Sequence, residues 1–228
     1  PAPERGNRVN WQAFETLAVS VTFWSALASL AFFVLHLGTR KDPLKYVGMA
    51  GMGVALVGSL GTLVARGIIA QHAPWSNLWE SMITMLFASL VFYFVVEAWY
   101  KPRYFGVVAS PLAMILIGGA SLLPENFKGA APLMPALQSY WIKVHVLFML
   151  FSYAAFTMSF AAVCAYFFFA WKGKQVAQPA LAGGPAPEAL GGNDQQLQFF
   201  DELTYRLILM GFPLLMIGII TGAMWANG

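Results

Sequence analysis

Charged residues along this chain are confined to segments that separate six long apolar stretches. The third stretch is the shortest, and we expect Trp79, Trp99 and Tyr100 to flank it at the lipid headgroups, with Glu80 and Glu97 near the interfaces. A transmembrane helix needs about 20 apolar residues, so the pattern predicts an all-α, polytopic transmembrane bundle of about six helices. The stretches free of Asp, Glu, Lys and Arg are 16–39, 46–65, 81–96, 104–124, 144–171 and 207–228.

The composition excludes a soluble globular protein. Hydrophobic residues make up 59% of the chain and charged residues only 10%, whereas a soluble domain carries about 25% charged residues. The net charge of +3 contains no basic block, so we expect no nucleic-acid partner. The single cysteine, Cys164, excludes an internal disulfide and a cysteine-based metal cluster. We expect it to be buried in the fifth helix and unreactive.

Lys and Arg are unevenly divided between the two sides of the predicted bundle, with eight on one side and five on the other. Cytoplasmic loops carry the excess of these residues. We therefore expect the amino terminus and the loops 67–80 and 125–143 to lie outside. The eight residues on the predicted cytoplasmic side are Arg40, Lys41, Lys45, Lys101, Arg103, Lys172, Lys174 and Arg206.

The chain divides into three parts by composition. Residues 1–171 hold the first five helices. Residues 172–198 are rich in Ala, Pro, Gly and Gln, which predicts a flexible cytoplasmic linker because such a segment buries little apolar surface. Residues 199–228 are expected to form an interfacial helix and the sixth transmembrane helix, continuing beyond the end of the chain.

Small residues recur at four-residue spacing in two of the predicted helices. They are Gly51, Ala55 and Ser59 in the second helix and Gly218 and Gly222 in the sixth. This spacing predicts faces on which helices approach closely.

His145 offers the sharpest indication of chemistry. It lies about one turn inside the predicted outer interface, where a polar side chain in an apolar helix is costly unless it has a partner. Imidazole is a common axial ligand of heme iron and can relay protons. The alternative is a structural histidine that is hydrogen-bonded to a neighbouring helix.

The other two histidines are open to plainer explanations. His72 lies in a loop before the third helix, which Ser76 or Asn77 can cap, and nearby tryptophans can form either a shelf for a porphyrin or an ordinary headgroup belt. His36, near the cytoplasmic end of the first helix, is either an entry-side ligand or, as we favour, an interfacial histidine that reaches water. No phosphate loop, zinc signature or hydrolase triad is evident.

Three ordered motifs resemble the heme-handling membrane protein of system II cytochrome c biogenesis, the CcsA/ResC type. The first is Ala-Pro-Trp-Ser-Asn-Leu-Trp-Glu-Ser at 73–81. The second runs from Pro132 to Trp141 and continues to His145 and to Ser-Tyr-Ala at 152–154. The third joins Gly-Phe-Pro-Leu-Leu at 211–215 to Gly-Ala-Met-Trp-Ala-Asn at 222–227.

The resemblance implies heme handling at the outer face. Such a protein carries or receives heme b as a transported substrate and presents its vinyl groups to the Cys-x-x-Cys-His thiols of apocytochrome c. It acts with a partner membrane subunit, as part of a cytochrome c synthase. The family's external axial histidine maps onto His145, which would ligate the heme iron, and the loop 74–81 would shape the site, with His72 less firmly included.

Ring type and depth add four aromatic residues to the expected heme vicinity. We expect Trp75, Trp79, Tyr140 and Trp141 to line the outer approach. No residue is assigned a catalytic role, since the heme supplies the reactivity and the protein supplies the positioning.

The sequence departs from the family pattern at its end. In the family, the Trp-Ala-Asn element leads into a tryptophan-rich segment and further helices with a second external histidine, whereas this sequence stops at Gly228. We expect a partial chain. The alternative is a truncated relative that no longer ligates heme in the same way.

Two other functions remain open. The first is a non-catalytic subunit that braces a respiratory or photosynthetic complex. The second, a transporter of another small molecule, is weaker because no helix shows paired intramembrane charges. For each, we expect an integral membrane protein of a bacterial plasma membrane or a thylakoid.

Overall fold

The computed structural model describes residues 10–129, 138–176 and 191–226, and these form six α-helices. Each helix is long and apolar enough to cross a membrane. No strand occurs among the described residues, which confirms the predicted all-α transmembrane bundle. The helices are α1 Trp11–Thr39, α2 Asp42–Ala70, α3 Leu78–Tyr100, α4 Phe105–Leu122, α5 Tyr140–Val176 and α6 Gly191–Ala226, with a short 3-10 helix at Glu125–Phe127.

Local side-chain chemistry sets several of the helix ends. The side chain of Asn10 accepts a hydrogen bond from a backbone N–H of α1, and Asn77 does the same for α3, so both satisfy donors that a helix start leaves free. Three helices end where the next residue adopts a left-handed conformation, with φ of 57° at Arg40, 57° at Gln71 and 47° at Lys101. The chain turns sharply at each of these points.

Alternating helices place the connecting segments at two opposite ends of the bundle. We call the end that carries residues 71–77 and 123–129 the His72 end, and the end that carries 40–41 and 101–104 the His36 end. Asn77 donates to the carbonyl of Gly129 over 3.2 Å, so the two connecting segments of the His72 end are joined directly.

Close helix contacts occur where the small residues predict them. Ala55 and Ser59 of α2 are fully buried, and a Cβ on Gly51 would collide with the side chain of Ser29 in α1. In α6, Gly218 faces Met149 and Gly222 faces His145, with no space for a Cβ at either position. Both predicted packing faces are confirmed, and the second brings α6 against α5.

The beginning of α6 packs into the bundle. Phe200 and Leu203 are buried, and the ring of Phe200 stacks on that of Phe169 in α5 with centroids 5.7 Å apart. The expected interfacial helix is therefore the first part of α6 itself. Helices α5 and α6 also extend into both ends of the range 172–198 assigned to a linker, while 177–190 lie outside the described residues.

Charged side chains are paired between helices, contrary to the expectation that paired charges were lacking. Lys45 of α2 lies 2.6 Å from Glu97 of α3, and Arg66 of α2 lies 3.0 Å from Glu80 of α3. All four are buried. The sequence did not indicate these ion pairs, because the two partners of each pair lie on different helices, at the edges of apolar stretches.

Cys164 does not lie in the core. Its side chain is exposed on the outer surface of α5, a surface that lipid covers when the helix spans a membrane. The expectation of burial was wrong because the fifth stretch is apolar on all sides, so its pattern does not indicate which face packs inward.

Candidate functional site

Arg66, one turn before the end of α2, is the centre of a group of buried contacts at the His72 end. Its Nε lies 3.0 Å from Oε1 of Glu80, and its Nη1 lies 3.2 Å from Oε1 of Glu15 in α1. Its Nη2 donates to the carbonyl of Lys128, and the guanidinium lies 4.7 Å from the ring centroid of Trp79. We call these five residues the Arg66 group. One cation thus connects three helices and the segment after α4.

Glu80 extends this group into the loop before α3. Its Oε2 accepts hydrogen bonds from the backbone N–H of Ser76 at 2.8 Å and from the Ser76 hydroxyl at 2.9 Å. Its own backbone N–H donates to the side chain of Asn77 at 2.9 Å, which confirms the predicted helix cap. The Thr84 hydroxyl donates to the carbonyl of Pro74 over 3.1 Å. The loop 71–77 is therefore held rigidly against α3.

His72 and Trp75 lie in this loop and are half-buried. Nδ1 of His72 is 2.9 Å from the carbonyl oxygen of Ala73, and the backbone N–H of Trp75 donates to the same carbonyl over 2.9 Å. Trp79 differs from the expectation that it lines an open approach. Only 6% of its surface is exposed, and the Arg66 guanidinium lies over its ring.

His145 lies in the second turn of α5, against α6. Its Nδ1 is 2.6 Å from the carbonyl oxygen of Gly218. A carbonyl oxygen can only accept, so Nδ1 carries the proton and Nε2 of the neutral ring presents a lone pair. The side chain is half-buried, and Nε2 has no hydrogen-bond partner among the described residues. This is the protonation pattern of an imidazole that can ligate a metal.

Tyr140 and Trp141 begin α5, about one turn before His145. Their rings meet edge to face with centroids 5.9 Å apart, and they are 71% and 37% exposed. These two aromatic residues are thus exposed at the His72 end, and their role in an approach to His145 stays a prediction.

The predicted site residues fall into two groups. Tyr140, Trp141 and His145 lie at the start of α5, whereas His72, Trp75 and Trp79 lie with the Arg66 group. Within the described ranges, no hydrogen bond joins His145 to the loop 71–77. Residues 132–137 of the second motif lie outside the described residues.

His36 does not reach water, contrary to the favoured expectation. It is completely buried, its Nδ1 lies 2.9 Å from the carbonyl oxygen of Lys41, and its ring centroid is 5.6 Å from that of Tyr104. The residue before α4 therefore covers the last turn of α1. Because this imidazole is enclosed, a ligand could reach it only if the bundle repacked.

A ladder of hydrogen bonds between α5 and α6 was missed from the sequence. Ser152 donates to the carbonyl of Gly211 over 3.0 Å, and Ser159 donates to the carbonyl of Thr204 over 3.3 Å. With His145 these donors recur every seven residues along α5, and their acceptors recur every seven along α6. The spacing of one His and two Ser was visible in the sequence, but their acceptors were not, because any residue can supply a carbonyl.

Comparison with known proteins shows the family of this chain. The family model described as "Cytochrome C assembly protein" matches residues 75–228, which is more than half of the chain. The chain belongs to the cytochrome c assembly family. The family match includes Trp75, Trp79, Tyr140, Trp141 and His145, whereas His72 precedes it.

Several relatives carry the name cytochrome c biogenesis protein CcsA. The protein from Gloeobacter violaceus is 30% identical over 260 residues, covering 94% of this chain and 76% of the relative. The protein from Thermosynechococcus vestitus is 36% identical over 211 residues, covering 81% and 66%. That from Chlorella vulgaris is 30% identical over 240 residues, covering 96% and 76%. The chain thus spans roughly two thirds to three quarters of these relatives.

These matches confirm the resemblance to the CcsA type of system II. As a member of the cytochrome c assembly family, the protein has a role in cytochrome c biogenesis, and heme binding and transport fit this family. Six apolar helices and the cyanobacterial relatives indicate an integral membrane protein of a bacterial or thylakoid membrane.

Proposed function

We propose that this chain holds heme at the outer face of the membrane and presents it for covalent attachment to apocytochrome c, acting with a partner membrane subunit. The family supports heme and apocytochrome handling. The excess of Lys and Arg on the other side supports an orientation in which the amino terminus and the His72 end face outward. The segment 172–198 then lies on the cytoplasmic side.

His145 is the proposed axial ligand of the heme iron. The observation that carries this proposal is the hydrogen bond from Nδ1 to Gly218, because it fixes the tautomer whose Nε2 can donate a lone pair to iron. Partial exposure of the ring leaves a route for the porphyrin. The buried charges of Arg66 and Lys45 are neutralised by carboxylates, so the imidazole is the stronger candidate for binding chemistry.

Aromatic residues complete the proposed heme vicinity. Tyr140 and Trp141 offer open rings about one turn before His145, while Trp75 and His72 belong to the loop 71–77 at the same end of the bundle. Trp79 contributes indirectly, since its buried ring contacts Arg66, whose partner Glu80 binds Ser76 of that loop. Flat aromatic side chains suit a flat, largely apolar ligand.

Heme b is the proposed substrate because both of its vinyl groups are unmodified. In the attachment step, a cysteine sulfur of apocytochrome c bonds to one vinyl carbon and a proton adds to the other, so the carbon–carbon double bond becomes single. This addition is balanced without an oxidant. The protein contributes by holding the vinyl groups and the thiols in a reactive orientation.

A matched pair of variants tests the proposed ligand. His145→Ala removes the imidazole, and Ser152→Ala removes the next hydrogen bond of the same ladder while leaving His145 in place. Both proteins are purified from membranes, and heme content is measured by the pyridine hemochrome assay together with the absorbance spectrum.

We expect His145→Ala to lose most of its heme and Ser152→Ala to retain it. Equal heme content and identical spectra in the parent protein and both variants would overturn the assignment of His145. Such a result, together with normal assembly of a membrane complex, would instead favour a bracing subunit.

A further inference from the structure

We infer that Gly218, Thr221 and Gly222 of α6 are positioning residues that fix the orientation, tautomer and donor strength of the His145 imidazole. This inference rests on the proposed function, in which His145 ligates heme iron. It adds that the ligand is tuned by the backbone of a neighbouring helix.

The first step of the argument concerns the identity of the acceptor. A histidine that ligates a metal is usually oriented by a hydrogen bond from its other ring N–H to a carboxylate, a backbone carbonyl or a water molecule. Here the acceptor is the backbone carbonyl of Gly218, 2.6 Å from Nδ1. Because that carbonyl belongs to the interior of a long helix, it cannot swing away as a side chain can. The imidazole is thus oriented by a rigid element.

The second step concerns the space that Gly222 leaves. A Cβ at this position would lie 2.6 Å from Nδ1 and 2.9 Å from Cε1 of His145. Both separations are shorter than a van der Waals contact, and the obstructing atoms belong to a ring rather than to a flexible chain end. Any other residue at 222 would therefore displace the imidazole.

The third step concerns the level of His145 along the helix. Ser152 and Ser159 bond to Gly211 and Thr204 at the other two levels of the ladder. His145 lies opposite Gly218 at the end of the ladder, where the space beside Gly222, rather than the two serine bonds, sets the position of its ring. Gly218 also leaves space for Met149 of α5, because a Cβ added to Gly218 would lie 2.6 Å from Sδ of Met149.

The fourth step concerns the electronic character of the ligand. The hydroxyl of Thr221 lies 3.0 Å from the same carbonyl oxygen of Gly218 and also 2.8 Å from the carbonyl of Ile217. A hydroxyl has a single proton, so Thr221 divides its donation between these two carbonyls, with the larger share to the nearer one, that of Ile217. The smaller share still competes with His145 for the carbonyl of Gly218, because donors that share one acceptor weaken each other's bonds. Removing the hydroxyl leaves more of the carbonyl's acceptor strength for His145, which makes the imidazole a stronger donor to iron and stabilises the ferric state.

The principal test compares two glycine variants of the same helix. Gly222→Ala places a methyl group against the imidazole. The matched control, Gly211→Ala, places a methyl group 2.7 Å from Cε1 of Phe156 and 3.2 Å from Cβ of Ala155. It therefore disturbs the same interface between α5 and α6 without contacting His145. Thermal unfolding and the absorbance spectrum are measured for both purified proteins.

We expect both variants to lower thermal stability, but only Gly222→Ala to change the heme spectrum and to weaken heme retention by about tenfold or more, the effect typical of losing a residue that orients a ligand. Heme spectra that change equally in the two variants would overturn the inference, since helix spacing alone would then account for the effect.

Thr221→Val provides a second test if Gly222→Ala fails to fold, because valine preserves the shape of the side chain. We expect normal heme content and a more negative midpoint potential, measured by spectroelectrochemical titration. An unchanged or more positive potential would overturn the role assigned to Thr221.

The outcome for His145→Ala separates the two levels of the proposal. If that variant keeps its heme, the ligand assignment itself fails. If it loses heme while Gly222→Ala and Thr221→Val behave like the parent protein, only the positioning role fails.

Discussion

The Arg66 group and the contact of His145 with Gly218 lie at the same end of the bundle, yet their polar side chains differ in the number of partners that they have. Arg66 has two carboxylates, a carbonyl and an aromatic ring around one guanidinium. His145 has one hydrogen bond, to Gly218, and one nitrogen without a partner among the described residues. In the first arrangement each guanidinium nitrogen has a partner, although Oε1 of Glu15 has an ion pair and no hydrogen bond, whereas the second leaves a half-exposed ring nitrogen available.

This difference separates a structural role from a binding role. A buried charge is tolerated when counter-charges and hydrogen bonds offset its desolvation, and the Arg66 group meets that condition while joining α1, α2 and α3. An imidazole with a fixed tautomer and an open lone pair is instead prepared for a ligand. Charge at a membrane-protein site is therefore less informative than the number of partners that each polar atom already has.

Arg66→Met should have the largest effect on stability. It leaves Glu15 and Glu80 without their cation, and breaking a buried pair in this way costs about 3–5 kcal/mol. We expect a large drop in the unfolding temperature, measured by thermal unfolding of the purified protein in detergent.

Arg103→Met is the matched control for that change. Arg103 lies 3.2 Å from Asp42, but the two side chains are 52% and 65% exposed, so the loss should be at most about 1 kcal/mol. Similar unfolding temperatures for the two variants would show that the Arg66 group is not the structural centre we describe.

Asn77→Ala should have an intermediate effect. Losing the helix cap costs about 1 kcal/mol, and it also removes the bond to Gly129 that joins the two connecting segments. Asn77→Asp separates these contributions, because aspartate retains the capping oxygen and lacks the donor. We expect its unfolding temperature to fall between those of Asn77→Ala and the parent, and a value as low as that of alanine would contradict the capping role.

Ser159→Ala should have the smallest effect. Interhelical hydrogen bonds in membranes contribute roughly 0.6 kcal/mol on average, and the bond of Ser159 is the longest of the ladder at 3.3 Å. A slight loss of stability with unchanged heme content is expected from unfolding and hemochrome measurements. Loss of heme from this variant would show that the whole interface between α5 and α6, rather than the contact of His145 with Gly218, controls heme binding.

Sequence patterns predicted some contacts and missed others for a physical reason. Asn77 was predictable as a cap because the interaction is local, and Gly218 and Gly222 were predictable as a packing face because small residues four apart share one side of a helix. The burial of Trp79 was not predictable from its position at the edge of an apolar stretch, because it depends on Arg66 folding over its ring. His36 was likewise covered by Tyr104, a residue far along the chain.

The sequence by itself determined the six membrane-spanning helices that the described residues form, because each span is a local run of apolar residues whose length must match the bilayer. It also carried the motifs by which the family is recognised. Only the tertiary structure decided which charges are paired, and that the imidazole of His145 is half-exposed whereas that of His36 is enclosed. These properties depend on partners on other helices, such as Gly218, which is 73 positions from His145 in the chain and 2.6 Å from it in the fold.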